Sequence, residues 1–168
     1  KQARQKIGYL PAHNLHDPWL TCAENIEKIG KYLQLSDYKF EKISQRLIEV
    51  LGMDIYMATK PAHLPRGIKR RLDLLMVLVK DPAILLLDEP LRELDYSTRE
   101  NLVAYLNEIK NQKTTVIATN EFTEIETITD RWIVLHNGTI RYDGDLETMI
   151  SHVQLDFTGY LEIKEEFR

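Results

Sequence analysis

One cysteine, Cys22, is all the thiol chemistry in the chain, which excludes an internal disulfide and suits a reducing compartment. Long apolar runs are missing too. The longest, Leu74 to Val79 and Ala83 to Leu87, are far too short to cross a bilayer. Lys1 to Lys6 are polar and basic without an apolar signal-peptide core, so any membrane role is expected to run through a partner. Basic clusters stop at Lys69-Arg70-Arg71, read as a solvated helix face, and a net charge of −4 offers no electrostatic attraction for nucleic acid. His13-x-x-His16 has no third ligand of suitable spacing, which argues against a metal pair. The phosphate-cradling pattern G-x-x-x-x-G-K-[ST] is also absent: of seven glycines only Gly30 precedes a lysine, and Tyr32 follows it. Without that loop's amides and lysine, nothing in the chain would hold a row of phosphates.

What is present is enough apolar material, 43% of 168 residues, for one sizeable core. Its centre is Pro82-Ala83-Ile84-Leu85-Leu86-Leu87-Asp88-Glu89-Pro90. The apolar run from Ala83 to Leu87 has neither helical nor alternating spacing, so it reads as a strand buried on both faces. It stops at two carboxylates and a proline. In an open parallel α/β sheet the carboxyl end of a strand is where ligands bind, which makes Asp88 and Glu89 candidate site residues. The bland alternative is that the two acids only mark the strand's exit into solvent.

Around that strand, Ile7-Gly8-Tyr9-Leu10 reads as a short strand stopped by Pro11. Thr21 and Glu24 have capping-box spacing, so a helix is expected there with Ile26, Ile29 and Leu33 on one face, broken at Ser36-Asp37. Ile43, Leu47, Val50 and Leu51 form a second stripe ended by Gly52, and Ile68, Leu72, Leu75 and Val79 a third. Ser97-x-x-Glu100 has capping-box spacing before Leu102, Leu106 and Ile109, and residues 114–119 read as a β-branched buried strand. A short helix is expected over 124–129. Asn137-Gly138 between two apolar runs is a strong hairpin signal, with His136 a sheet residue. Residues 145–150 read as a last helical turn or two. Val153, Leu155 and Phe157, then Leu161 and Ile163, alternate about Thr158-Gly159 and suggest one more hairpin.

An apolar strand ending in Asp88-Glu89-Pro90, Leu94-Asp95 five residues further on, and a second strand ending in Ala118-Thr119 resemble the ATP-binding-cassette (ABC) ATPase domain, from Ile7 to about Met149. The resemblance implies an α/β fold of the P-loop NTPase, RecA-like kind: a parallel-sheet core from residues 1–12 and 65–152, an inserted helical subdomain over 13–64, and a carboxyl-terminal extension over 153–168. It implies ATP and Mg²⁺ as ligands. Asp88 stands at the Walker B aspartate that helps hold Mg²⁺, Glu89 at the base that orients the attacking water, and Asp95 at the D-loop aspartate.

Other positions depart from the family's pattern. Ala12 occupies the place of the Q-loop glutamine, which implies a relay that is absent or rerouted through His13 or Asn14. Leu64-Pro65-Arg66-Gly67-Ile68 replaces Leu-Ser-Gly-Gly-Gln. Proline removes an amide and a hydroxyl, Arg66 fills a glycine's space while keeping a charge for phosphate, and Ile68 replaces glutamine. Asn120 stands for the switch histidine and cannot become cationic.

The family's Walker A strand belongs near the middle of the sheet, so a gap is expected where it should pair. The chain is then expected to be the carboxyl-terminal part of a cassette that folds with an amino-terminal part supplied separately or lying upstream of Lys1. Further partners implied are a second cassette, homo- or heterodimeric, and a membrane permease whose short cytoplasmic helix would enter a groove of the helical subdomain, on the cytoplasmic side. The loop from His16 to Trp19 would line that groove, or Trp19 would simply pack under the first helix. The resemblance therefore implies the ATP-binding subunit of an ABC transporter, or a fragment of one, either active or catalytically degenerate. A scaffold or regulatory domain is the alternative. So is a non-transporting cassette of DNA repair or translation, but the coiled-coil insertion or basic linker that it requires is not visible.

Overall fold

Aliphatic and β-branched segments make three parallel strands: β1 (Ile7–Leu10), β2 (Ile84–Asp88) and β3 (Thr114–Ala118), paired in the order β1-β2-β3. Leu10 lies opposite Leu87, and Asp88 opposite Ala118, so all three strands run out at one rim. The computed structural model describes residues 6–33, 37–120, 124–155 and 161–163. They fall into two units, Lys1–Ala118 and Thr119–Arg168.

The sheet corrects two expectations. Its face carrying Leu10, Leu85 and Leu87 is covered, but the alternate residues are open: Tyr9 is 53% exposed, Ile84 36% and Val116 54%, with Leu86 half-buried. Ala83 to Leu87 is therefore not buried on both faces, and β3 is not a buried strand. The physical reason is that the described helices packed on this sheet cover one face. Among the described residues β2 pairs on both sides, so a further strand of this sheet can join only at the outer edge of β1 or of β3.

On the covered side, helix α1 (Cys22–Leu33) starts at the reciprocal cap read in the sequence, with the Glu24 amide donating to Thr21 Oγ1 (3.2 Å) and the Thr21 amide to Glu24 Oε2 (2.6 Å). Helix α2 (Asp37–Val50) buries Leu47, and α3 (Arg66–Leu78) is buried on nearly every side, as suits a helix at the centre of a layer. Helix α4 (Tyr96–Ile109) buries Leu102, Leu106 and Ile109 as expected. Arg46 of α2 pairs with Glu108 of α4 and lies 5.5 Å from the centre of the Tyr105 ring.

In the second unit, β4 (Trp132–His136) and β5 (Thr139–Gly144) form the expected hairpin. Asn137 (φ +49) and Gly138 (φ +75) take the left-handed conformations that a tight hairpin turn requires. The helix expected over 124–129 is a single 3₁₀ turn at Glu126–Ile128. Helix α5 (Leu146–His152) leads into the antiparallel pair β6 (Val153–Leu155) and β7 (Leu161–Ile163), the last hairpin read in the sequence. Phe157 and Thr158-Gly159 lie outside the described residues.

Candidate functional site

The tip of β2 is the starting point. Asp88 is the last residue of the strand and shares the open face with Ile84 and Leu86, at the carboxyl rim of the sheet. Glu89 follows with φ +47, a conformation that costs a non-glycine residue about 1 kcal/mol. Its amide donates to the Ala118 carbonyl at 2.8 Å, which ties the turn to the end of β3. Both acids are half-buried.

What supports this turn from behind is Arg70 of α3, 8% exposed. Its Nη2 donates to the carbonyls of Asp88 (2.5 Å) and Glu89 (3.0 Å), and its Nη1 to that of Pro11 (2.8 Å). Burial pulls the guanidinium's pKa down, while Asp73, Glu93 and Asp88 oppose the shift. One turn on, Asp73 is fully buried. Its Oδ1 accepts from the amides of Leu15 (3.1 Å) and His16 (3.0 Å) and from the His16 ring at Nδ1 (2.7 Å). Arg70 and Asp73 are the residues that sequence reasoning missed, and Lys69-Arg70-Arg71 is not a solvated face: Arg70 is buried and Arg71 half-buried. A signal existed. The helix carries a single acid, Asp73, set among apolar Leu72, Leu74 and Leu75 and three residues from Arg70, and buried charges need partners.

The other candidate positions are distributed as follows. Ala12, His13 and Asn14 are exposed beyond Pro11. Leu64 and Ile68 are core residues, each 8% exposed, while Pro65 stands at the N-cap of α3 without a side-chain cap, and Arg66 is exposed. Gly67 packs against the loop after β2: a Cβ added there would lie 2.6 Å from the Glu93 carbonyl oxygen. Asp95 is the N-cap of α4 and accepts from the Thr98 amide (3.2 Å) and from the Ser97 and Thr98 hydroxyls, and it pairs with Arg71. The expected Ser97–Glu100 box is therefore absent. Asp95 outcompetes Ser97 because its carboxylate reaches the first-turn donors two residues earlier, and Glu100 accepts from Tyr96 instead. These bonds, the Ser97 hydroxyl first, hold the Asp95 carboxyl well below the usual range. Asn120, in the second unit, is exposed.

Beside α1 and α3 lies a groove of about 490 Å³, lined among others by His16, Asp17, Lys28, Tyr32, Met76 and Lys80. Burial pulls the Lys80 ammonium's pKa down. Buried Asn25 fixes the groove's loop, accepting from the Asp17 amide at 2.8 Å and donating to the Asp17 carbonyl at 3.0 Å. Trp19 is 72% exposed, so it does not pack under α1.

Among the described residues no cluster of three or more His, Cys, Asp or Glu could hold a metal ion. The two acids at the β2 tip are hard oxygen donors, which fits a Mg²⁺ that takes its remaining ligands from water and phosphate, and does not fit an ion that needs a full protein cage.

A family model described as ABC transporter matches residues 1–92. The ABC transporter ATP-binding protein YxlF of Bacillus subtilis is 28% identical over 167 residues, 99% of this chain and 56% of that protein. The chain spans about half the length of the curated relatives it matches. Among solved structures, an ATP-binding subunit of an ABC transporter superposes with a TM-score of 0.81 at 22% identity, covering 89% of this chain and 63% of that one. A dimeric post-hydrolysis state of the ATP-binding cassette MJ0796, bound to ADP and Pi, superposes with a TM-score of 0.75 at 24% identity, covering 86% and 65%. At such identities the shared property is the fold.

Proposed function

The chain belongs to the ABC transporter ATP-binding family and has its P-loop NTPase-like α/β fold, and we propose that it supplies the Walker B part of a catalytically degenerate cassette. The observation that carries this reading is the Asp88-Glu89 pair at the carboxyl rim of a parallel strand, with Asp88 on the sheet face left open. That face bears Tyr9, Ile84, Leu86 and Val116, apolar groups whose burial is worth about 25 cal/mol per Å². It suits a Walker A segment, which would add the amides and lysine that residues 1–168 do not provide.

In this reading Asp88 holds Mg²⁺, which when bound offsets phosphate charge. Glu89 orients the attacking water, and Arg70 fixes the turn that carries both acids. The degenerate side follows from residue chemistry. Ala12 can neither accept nor donate through its side chain, and Pro65 removes an amide at the α3 terminus. Ile68 is turned into the core, and Asn120 cannot carry the positive charge of an imidazolium. The cassette then acts chiefly as a nucleotide-binding partner of a second cassette, the arrangement for which dimeric MJ0796 is the precedent. No described helix is long and apolar enough to cross a membrane, so transport would run through a permease whose cytoplasmic helix enters the groove beside His16 and Lys80.

Titration of a fluorescent ATP analogue, with and without Mg²⁺, tests the reading on the chain extended by a Walker A segment. Saturable Mg²⁺-dependent binding, weakened at least about tenfold by Asp88→Asn, is expected. No saturable binding even then would make the chain a plain interaction domain.

A further inference from the structure

Position 12 carries a methyl group, yet α3 holds the chain both before it, at Pro11, and after it, at Leu15 and His16. Arg70 grips three main-chain carbonyls: those of Asp88 and Glu89 at the tip of β2 and that of Pro11 at the end of β1. Asp73, one turn further along the same helix, gathers the Leu15 amide, the His16 amide and the His16 ring on a single oxygen. The His16 tautomer that fits a carboxylate acceptor at this distance is the one with its proton on Nδ1. Asp73 Oδ2 is buried without a partner among the described residues, so its charge is answered by Arg70 and by the donors on Oδ1.

From this arrangement we infer that Arg70 and Asp73 couple the acid-bearing turn at 88–89 to the loop at 15–17 that lines the groove, in place of a side chain at position 12. Arg70 and Asp73 lie one helical turn apart without a direct ion pair, so they act on one another through charge, and burial strengthens that attraction because water does not screen it. Removing Arg70 frees the Asp88 and Glu89 carbonyls and leaves the Asp73 carboxylate short of counter-charge, so the amides that Asp73 holds loosen as well. Removing the Asp73 charge leaves Arg70 buried with less to balance it, and its grip on the turn weakens. The effect is therefore reciprocal, as any coupling between two sites must be. Arg70 and Asp73 are positioning residues. The coupling belongs to the free chain, and only its consequence for nucleotide turnover rests on the proposed function, so either can fail without the other.

Amide hydrogen exchange on the whole chain tests it, followed at three places: Glu89, whose amide is bonded to Ala118; Leu15 and His16, bonded to Asp73; and Leu106 inside α4 as a control. Arg70→Gln is expected to speed exchange at Leu15 and His16 about fivefold or more, although Arg70 touches neither amide. Asp73→Asn is expected to speed exchange at Glu89 to a similar degree, with Leu106 unchanged in both. A contact that was only structural would loosen its own neighbours: faster exchange at Glu89 alone in Arg70→Gln, and at Leu15 and His16 alone in Asp73→Asn, overturns the inference. Should either variant unfold, so that Leu106 exchanges faster too, Arg70→Met and Asp73→Ser take their places. Each removes the charge through which the two residues act on one another, so the same crosswise acceleration is expected, and its absence overturns the inference equally.

Discussion

Gly67→Ala sets two effects of opposite sign against each other. Gly67 is the second residue of α3 and has no positive φ, so alanine fits its backbone, and in a helix alanine is favoured by up to about 1 kcal/mol. Against this, the new methyl would sit 2.6 Å from the Glu93 carbonyl oxygen. A carbon–oxygen contact is comfortable near 3.3 Å, so the two backbones must part by about 0.7 Å. Glu93 cannot yield freely: it holds φ +67, lies between buried Leu91 and Leu94, and precedes the Asp95 cap by two residues. With Glu93 so held, the upper part of the usual overpacking range applies, about 2–3 kcal/mol, and subtracting the helical gain leaves a net loss of about 1–2 kcal/mol. For a chain of this size that lowers Tm by roughly 2–8 °C. Urea unfolding followed by circular dichroism measures it as a lower midpoint at unchanged slope. A midpoint equal to or above that of the parent would show that the loop after β2 gives way, and would remove the reason advanced for glycine at position 67.

Two further outcomes are expected from the packing. Asp95→Ala removes the α4 cap and should cost about 1–2 kcal/mol at neutral pH in the same unfolding experiment. Because the folded-state pKa of Asp95 is depressed, its contribution is present above the unfolded value near 4 and is lost as pH falls, so the gap between parent and variant should narrow in acid. Leu87→Ala, at a residue 2% exposed on the covered face, should cost about 3 kcal/mol, whereas Val116→Thr on the open face should stay within about 0.5 kcal/mol. Equal losses at the two positions would mean that the face of Val116 is covered in solution.

The sequence made legible what is decided over a few neighbouring residues. The Thr21–Glu24 cap, the Asn137-Gly138 turn and the apolar β2 run were each visible because the partners lie within three or four positions of one another. Local spacing misled at Ser97, where a capping pattern was present but Asp95, two residues earlier, offered the stronger acceptor. It was silent at Arg70, whose partners at 11, 88 and 89 are distant in sequence, so charge alone suggested solvent. The burial of Ile84 and Leu86 was overestimated for a similar reason: an apolar run records that a strand can be covered on both faces, whereas coverage depends on what the rest of the fold lays against it.

Phosphate release by the purified 168-residue chain at saturating Mg-ATP, compared with its Glu89→Gln variant, tests whether the acids at the β2 tip need a Walker A segment that residues 1–168 do not carry. The expected result is no turnover above buffer in either protein, because the chain brings no phosphate-cradling loop. Turnover that Glu89→Gln abolishes would contradict the account.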